Sequence, residues 1–319
     1  MEEMIYDTSF DKEFKKIDFF RKHESYLPYV GKNYRNSKLK ILHVGNCHYI
    51  EQSQDPDRRY GYRFFRDNWF QREIPVFPEI YHLDRQMIDC KFNWRERKLT
   101  CENAWNNYCL NTRNVVSEML TAQRNSFNLV GRKNYTIFTS VIKVLSETVG
   151  QSLFGENRTI DSINTPQEPD LTAKKKATNI RRQEKYIQEM SEYQKRIDAY
   201  TYVAFTDFHM MPALVRSDGT VLERLIEVAK EEGIDKAEAQ AFYEEIVIES
   251  SRVLDAVISI LDPDVIYITS KPAGEQYEQH MNALYTGRIY CDAHPNAVYG
   301  DLENYKKRFG DSVKTIIHG

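Results

Sequence analysis

Leu39-Lys40-Ile41-Leu42-His43-Val44-Gly45-Asn46-Cys47-His48-Tyr49-Ile50-Glu51 is the stretch from which the rest of the chain can be read. Residues 41–44 form a short, mostly apolar run of β type, and Gly45 breaks it abruptly before a polar set. Such a run fits a parallel strand covered on both faces. In open α/β sheets ligands bind just beyond the carboxyl ends of these strands, so residues 45–51 are expected to form a reactive loop.

Three further segments repeat the pattern. Residues 201–206 run into Asp207-Phe208-His209, residues 264–269 into Ser270-Lys271-Pro272, and residues 288–291 into Asp292-Ala293-His294-Pro295-Asn296. Helical stretches at 221–232 and 236–261 separate the middle two; the second carries Phe242, Ile246, Val253, Val257 and Ile260 and stops at Asp262-Pro263. Strands joined through helices imply crossover connections and helices on both sheet faces. The expected fold is α/β: a three-layer α/β/α arrangement with a central, mainly parallel four-stranded sheet, plus helical insertions. All four strand ends then share one edge. Their loops would converge on a cleft holding Asn46, Cys47, His48, Tyr49, Asp207, His209, Lys271, His294 and Asn296.

Outside these strands the chain divides into an N-terminal packing arm, residues 1–38, and an α/β domain, residues 39–319, with a large helical insertion at about 66–200. Phe14, Ile17 and Phe20 recur at helical spacing and predict one helix over 11–22. Residues 60–66 alternate aromatics and cations, which suits either a pocket for a flat ligand or plain amphipathic packing. Ile137, Val141, Ile142, Leu145 and Val149 predict an amphipathic helix ending at Gly150, and 155–170 reads as a loop. Residues 171–200 form a basic helix-forming run with Lys174, Lys175, Lys176, Arg181 and Arg182. This run is either a track for a phosphate backbone or a solvated face.

The whole chain has 319 residues, a net charge of -3 and 29% charged residues, so no global basic surplus advertises nucleic-acid binding. No apolar run approaches the roughly 20 residues of a membrane span, and Met1-Glu2-Glu3-Met4 lacks the form of a signal peptide. A soluble, cytoplasmic protein with no membrane partner is expected. The five cysteines, Cys47, Cys90, Cys101, Cys109 and Cys291, include no C-x-x-C pair, which disfavours a disulfide framework and a zinc ribbon. The short first spacing of iron–sulfur ligation is missing as well. No metal or cofactor is expected.

The order of these motifs resembles the uracil-DNA glycosylase superfamily. The resemblance lies in a strand ending in Gly-polar-x-x-Tyr, an aromatic segment soon after, a middle strand ending in polar residues, a strand of the Asp-Val-Ile-Tyr-Ile-Thr type, and a final strand entering His-Pro-Asn. In that family the first loop commonly reads Gly-Gln-Asp-Pro-Tyr and the last His-Pro-Ser. Gly45-Asn46-Cys47-His48-Tyr49 and His294-Pro295-Asn296 are the counterparts here. The resemblance implies that the backbone around Asn46 faces a flipped pyrimidine, that Tyr49 crowds its 5-position and that Phe64 stacks on its face. It implies that Thr206 or Asp207 reads the base edge, with Asn296 also at the base, while His294 stabilises charge on the departing base. DNA, or another nucleobase-containing ligand, is the implied partner, with Lys271, Lys174, Lys175 and Arg181 as candidate contacts to its backbone.

The departures from the family pattern are chemical. Cys47 stands where the family carries its water-activating Asp, and an ordinary thiol is a poor general base. Asp207 or Glu51 would then orient the water. Three functions remain open at this level: a glycosylase that hydrolyses the N-glycosidic bond of a flipped damaged base, a non-catalytic member that binds nucleic acid or a nucleobase, and a cysteine-dependent hydrolase using Cys47 with His48 or His294.

Overall fold

The computed structural model describes residues 6–49, 61–68, 92–93, 98–99, 111–121, 200–213, 220–281 and 288–291. The three cysteines at 90, 101 and 109, the helix expected at 135–149, the loop at 155–170, the basic run at 171–199 and the final loop at 292–296 lie outside them.

Seven strands are described: β1 Tyr29–Val30, β2 Ile41–Tyr49, β3 Phe92–Asn93, β4 Lys98–Leu99, β5 Val203–Ala213, β6 Val265–Ile268 and β7 Arg288–Cys291. The helices are α1 Asp11–Phe14, α2 Asp18–Lys22, α3 Tyr62–Asn68, α4 Thr112–Thr121, α5 Val221–Glu231, α6 Lys236–Leu261 and α7 Lys271–His280. The class is α/β. The main sheet has five strands in the order β1-β5-β2-β6-β7, and β3-β4 form a separate pair.

β2 pairs in parallel with both β5 and β6, and β6 with β7, whereas β1 joins the far edge of β5 in antiparallel fashion. The sheet is therefore mixed and five-stranded, which corrects the expectation of four mainly parallel strands. Tyr29 and Val30 escaped notice because a two-residue strand has no periodicity to read. The order also fixes a switch point. From β2 the chain moves to β5 on one side, then crosses back to β6 on the other. Connections leaving β2 and β6 therefore lead to opposite sides of the sheet, which makes the ends of these two strands a topological switch point, the position where open α/β sheets bind ligands.

Both sheet faces are buried. On one face Leu42, Val44, Ala204, Ile266 and Ile268 share a core with Phe242, Ile246, Val253, Val257 and Leu261 of α6 and with Ala273 and Tyr277 of α7. On the other, Ile41, His43, Val203, Phe205, Val265 and Tyr267 are equally buried. Double-sided burial is why these strands read as continuous apolar runs rather than alternating ones.

The helix ends follow their sequence signals. α5 opens on a Thr220/Glu223 capping box, and Asp235 caps α6 by accepting from the Glu238 N–H. α6 closes on Asp262 in the left-handed region at φ 47, with Pro263 behind it. Ser270 caps α7, whose second residue is Pro272. Thus Ser270-Lys271-Pro272 is a helix start rather than the expected loop.

The arm does not hold one helix over 11–22. It breaks at Ile17, which is extended (φ -75, ψ 122), and forms α1 and α2. The break lets Phe14, Phe19 and Phe20 all reach the core, which one straight helix would not do with adjacent Phe19 and Phe20. Arg113 of α4 braces the arm: its guanidinium meets Asp11 through two bonds, at 2.9 and 2.5 Å, and its Nε donates to the Pro28 carbonyl at 3.1 Å.

Candidate functional site

The decisive departure from the sequence reading is length. β2 runs to Tyr49 and β5 to Ala213, so Gly45–Tyr49 and Asp207–His209 are strand residues, not loops. Pairing with β6 ends at Val44↔Ile268, and beyond that level β2 and β5 continue together. Their register slips between Cys47↔His209 and Tyr49↔Ala213, where Pro212 cannot donate to the ladder. Ser250 of α6 accounts for part of this irregular segment by accepting the Met210 N–H at 3.0 Å.

Gly45 is a space requirement rather than a turn signal. A Cβ there would collide with Oδ1 of Asp207 and lie 3.0 Å from the Phe205 ring. The carboxylate of Asp207 occupies that place and reaches His48, whose Nε2 lies 3.3 Å from Oδ2 and 3.0 Å from the Thr112 hydroxyl. Tyr26 sets its ring edge-on to His48 at 4.8 Å. All four side chains are buried. Burial pushes the Asp207 carboxyl pKa up, and the neighbouring His48 works against that shift. Burial, reinforced by Asp207 and Cys47, likewise pushes the Tyr26 hydroxyl well up.

A second polar group surrounds His209. Its Nδ1–H donates to the backbone carbonyl of Asn46 at 3.1 Å, and its Nε2 lies 3.1 Å from both the Tyr243 hydroxyl and Oε1 of Gln276. Gln276 Nε2 in turn donates to the Tyr243 oxygen at 2.6 Å. Burial lowers the His209 pKa to about 4, so the ring is neutral near pH 7. A neutral ring that donates from Nδ1 accepts at Nε2 from the Tyr243 hydroxyl; Gln276 Oε1, itself an acceptor, is no partner for that nitrogen, and Gln276 joins the group through its bond to Tyr243. Asn46 is also held on its side-chain oxygen, which accepts from the Ser270 hydroxyl at 3.2 Å.

Asn46, Cys47, His48, Asp207 and His209 thus lie on the paired ends of β2 and β5, within the strands rather than in converging loops. Cys47 is buried within the apolar core. Thr206 sits one level deeper, opposite Val44, and is fully enclosed. Tyr49 closes β2 and Phe64 lies in α3, each placed by its backbone. Lys271 is exposed and pairs with Glu275 at 3.6 Å on its own helix. His294, Asn296, Lys174, Lys175 and Arg181 lie outside the described residues.

Sequence reasoning missed Tyr26, Thr112, Tyr243 and Gln276. Only Tyr243 carried a signal, a hydroxyl on the apolar stripe of α6 between Phe242 and Ile246. The other three are brought in by tertiary packing alone. Among the described residues no cluster of three or more His, Cys, Asp or Glu could hold a metal ion, and no helix is long and apolar enough to cross a membrane.

Comparison with known proteins finds no family model that matches this chain and no curated protein or solved structure similar to it. The site must therefore be read from its own chemistry. It offers two buried imidazole networks, one carboxylate paired to histidine, and an asparagine gripped from two sides at the switch point.

Proposed function

We propose that the chain is a nucleobase-recognising protein of the uracil-DNA glycosylase type, which accepts an extruded base from DNA beyond the ends of β2 and β6. The observation that carries this reading is the Asn46–Ser270 hydrogen bond, 3.2 Å across the ends of those two strands at the switch point. In this reading the fold is the three-layer α/β/α arrangement of that superfamily. Asn46, Tyr49 and Phe64 contact the base together with His294 and Asn296. Lys271, Lys174, Lys175 and Arg181 meet phosphates.

Recognition is better supported than hydrolysis. Glycosylase chemistry needs a group that holds water opposite His294. Cys47, at the family's water-activating position, is enclosed in the core, and the Asp207 carboxylate is turned to His48 over Gly45. One observation keeps hydrolysis as a second reading: a buried carboxylate with a raised pKa beside an imidazole is a common setting for proton transfer. A cysteine-dependent hydrolase has weaker support, because His43 and His209 have both ring nitrogens hydrogen-bonded and His48 is engaged with Asp207 and Thr112.

Fluorescence anisotropy with a labelled oligonucleotide carrying one uracil tests the reading. The uracil strand should bind more tightly than its unmodified counterpart, and Asn46→Ala should weaken that preference about tenfold. Equal affinity for both strands would remove base recognition. Release of free uracil, lost in Asp207→Asn, would promote the hydrolytic reading over the binding one.

A further inference from the structure

Resting on that reading of the site, we infer that His209, Tyr243 and Gln276 form a positioning relay that fixes the Asn46–Cys47 peptide at the floor of the base pocket. None of the three need touch the ligand. The inference follows from where the bonds go. The Asn46 carbonyl accepts from His209 of β5, and its carboxamide oxygen accepts from Ser270 at the end of β6. The residue at the switch point is thereby tied to β5 on one side and to the N-cap of α7, which follows β6, on the other.

Behind His209 stand two helices. Tyr243 comes from α6 and Gln276 from α7; Gln276 donates to the Tyr243 oxygen at 2.6 Å and the Tyr243 hydroxyl donates to His209 Nε2, so the bonds run as a chain to Asn46. The Tyr243 ring also stacks on the imidazole, with centroids 5.9 Å apart and planes at 30°. This orients the imidazole from both ends and from one face. Phe208, whose ring lies 4.8 Å from the imidazole, is buried, as are Met210 and Met211 beyond His209 in β5. A hydrophobic residue would fill the space without the desolvation cost that a buried imidazole, phenol and carboxamide carry. The relay spends that cost on one backbone carbonyl, and that carbonyl belongs to the residue assigned to the base.

The sequence supplies a direct probe, because Asn46-Cys47 is the only Asn-Cys step in the chain. Full-length protein labelled with 13C-carbonyl Asn and 15N Cys will give one carbonyl–amide correlation, reporting on the peptide that His209 bonds. Tyr243→Phe should move this peak and weaken binding of the uracil oligonucleotide about fivefold, the scale of one lost hydrogen bond. His209→Leu should move it further. His209→Asn, which keeps a donor near the Nδ1 position, should recover most of the shift and the affinity.

Ser250→Ala is the structural control, since Ser250 lies on the same helix but bonds Met210. It should lower thermal stability while leaving the Asn46–Cys47 peak and the affinity in place. An unmoved peak in Tyr243→Phe and His209→Leu would overturn the relay, as would an equal loss of affinity in Ser250→Ala. If the wild-type chain does not bind the oligonucleotide, base recognition fails, while the peak shifts still decide whether the relay holds Asn46.

Discussion

The paired strands β2 and β5 divide into two halves that share a backbone but differ in chemistry. In the lower half, residues 41–44 against 203–206, β2 is hydrogen-bonded to strands on both sides and carries one buried histidine. His43 bonds the Tyr200 hydroxyl at 2.7 Å and the Thr269 hydroxyl at 3.1 Å, both of them scaffold groups. In the upper half, past the end of β6, the same pair carries Asn46, Cys47, His48, Asp207 and His209. There His209, buried like His48, donates to the backbone carbonyl of Asn46. A neighbouring strand leaves little freedom for side chains. Where β6 stops, the vacated side of β2 becomes available for polar groups, so the chemistry concentrates where the ladder narrows.

Acid should perturb both halves at once and give the largest effect. Burial holds His43 at a pKa of about 3 and His209 at about 4, against an ordinary 6.5. Each folded pKa is depressed, so the unfolded chain takes up protons first. Stability should be full above about pH 6.5 and fall as the pH drops towards 4 and then 3, by on the order of 5 kcal/mol at pH 4. Urea midpoints measured across this range check it, and a flat profile between pH 7 and 4 would mean that neither ring is buried neutral.

Gly45→Val should come next, at about 3 kcal/mol, because its side chain must displace the Asp207 carboxylate and crowd Phe205. If Asp207 is the obstacle, adding Asp207→Ala should make the combined loss smaller than the sum of the single ones. Strict additivity would place the clash elsewhere.

The smallest effect separates the halves most cleanly. His43→Leu should cost about 2 kcal/mol through the lost hydrogen bonds and leave uracil-oligonucleotide affinity unchanged. Asn46→Ala should do the reverse. A matching loss of affinity in His43→Leu would erase the distinction between scaffold and site.

Much of the lower half was legible in the sequence, and the upper half was not. Strands stand at 265–268 and 288–291, close to the bounds expected, and α5 and α6 keep nearly their anticipated bounds, because their periodicity and caps act locally. Gly45 misled for a physical reason. A glycine after an apolar run ordinarily signals a turn, but here it makes room for a carboxylate from a strand 162 positions away (207 − 45). The polar residues after it read as loop because apolarity is the signal of a buried strand, and a strand end that builds a polar site departs from that rule. Tyr243 and Gln276 lie on helices whose amphipathic patterns say which face is buried, not what a hydroxyl on that face will meet.

β1 is two residues long, yet among the described residues it alone pairs with the flank of β5 opposite β2, at Ala204 and Phe205. An uncovered strand flank is a template on which other chains can add. The N-terminal arm thus acts as a guard against strand exchange between molecules, and a cut that detaches it would turn a packing defect into a route to aggregation.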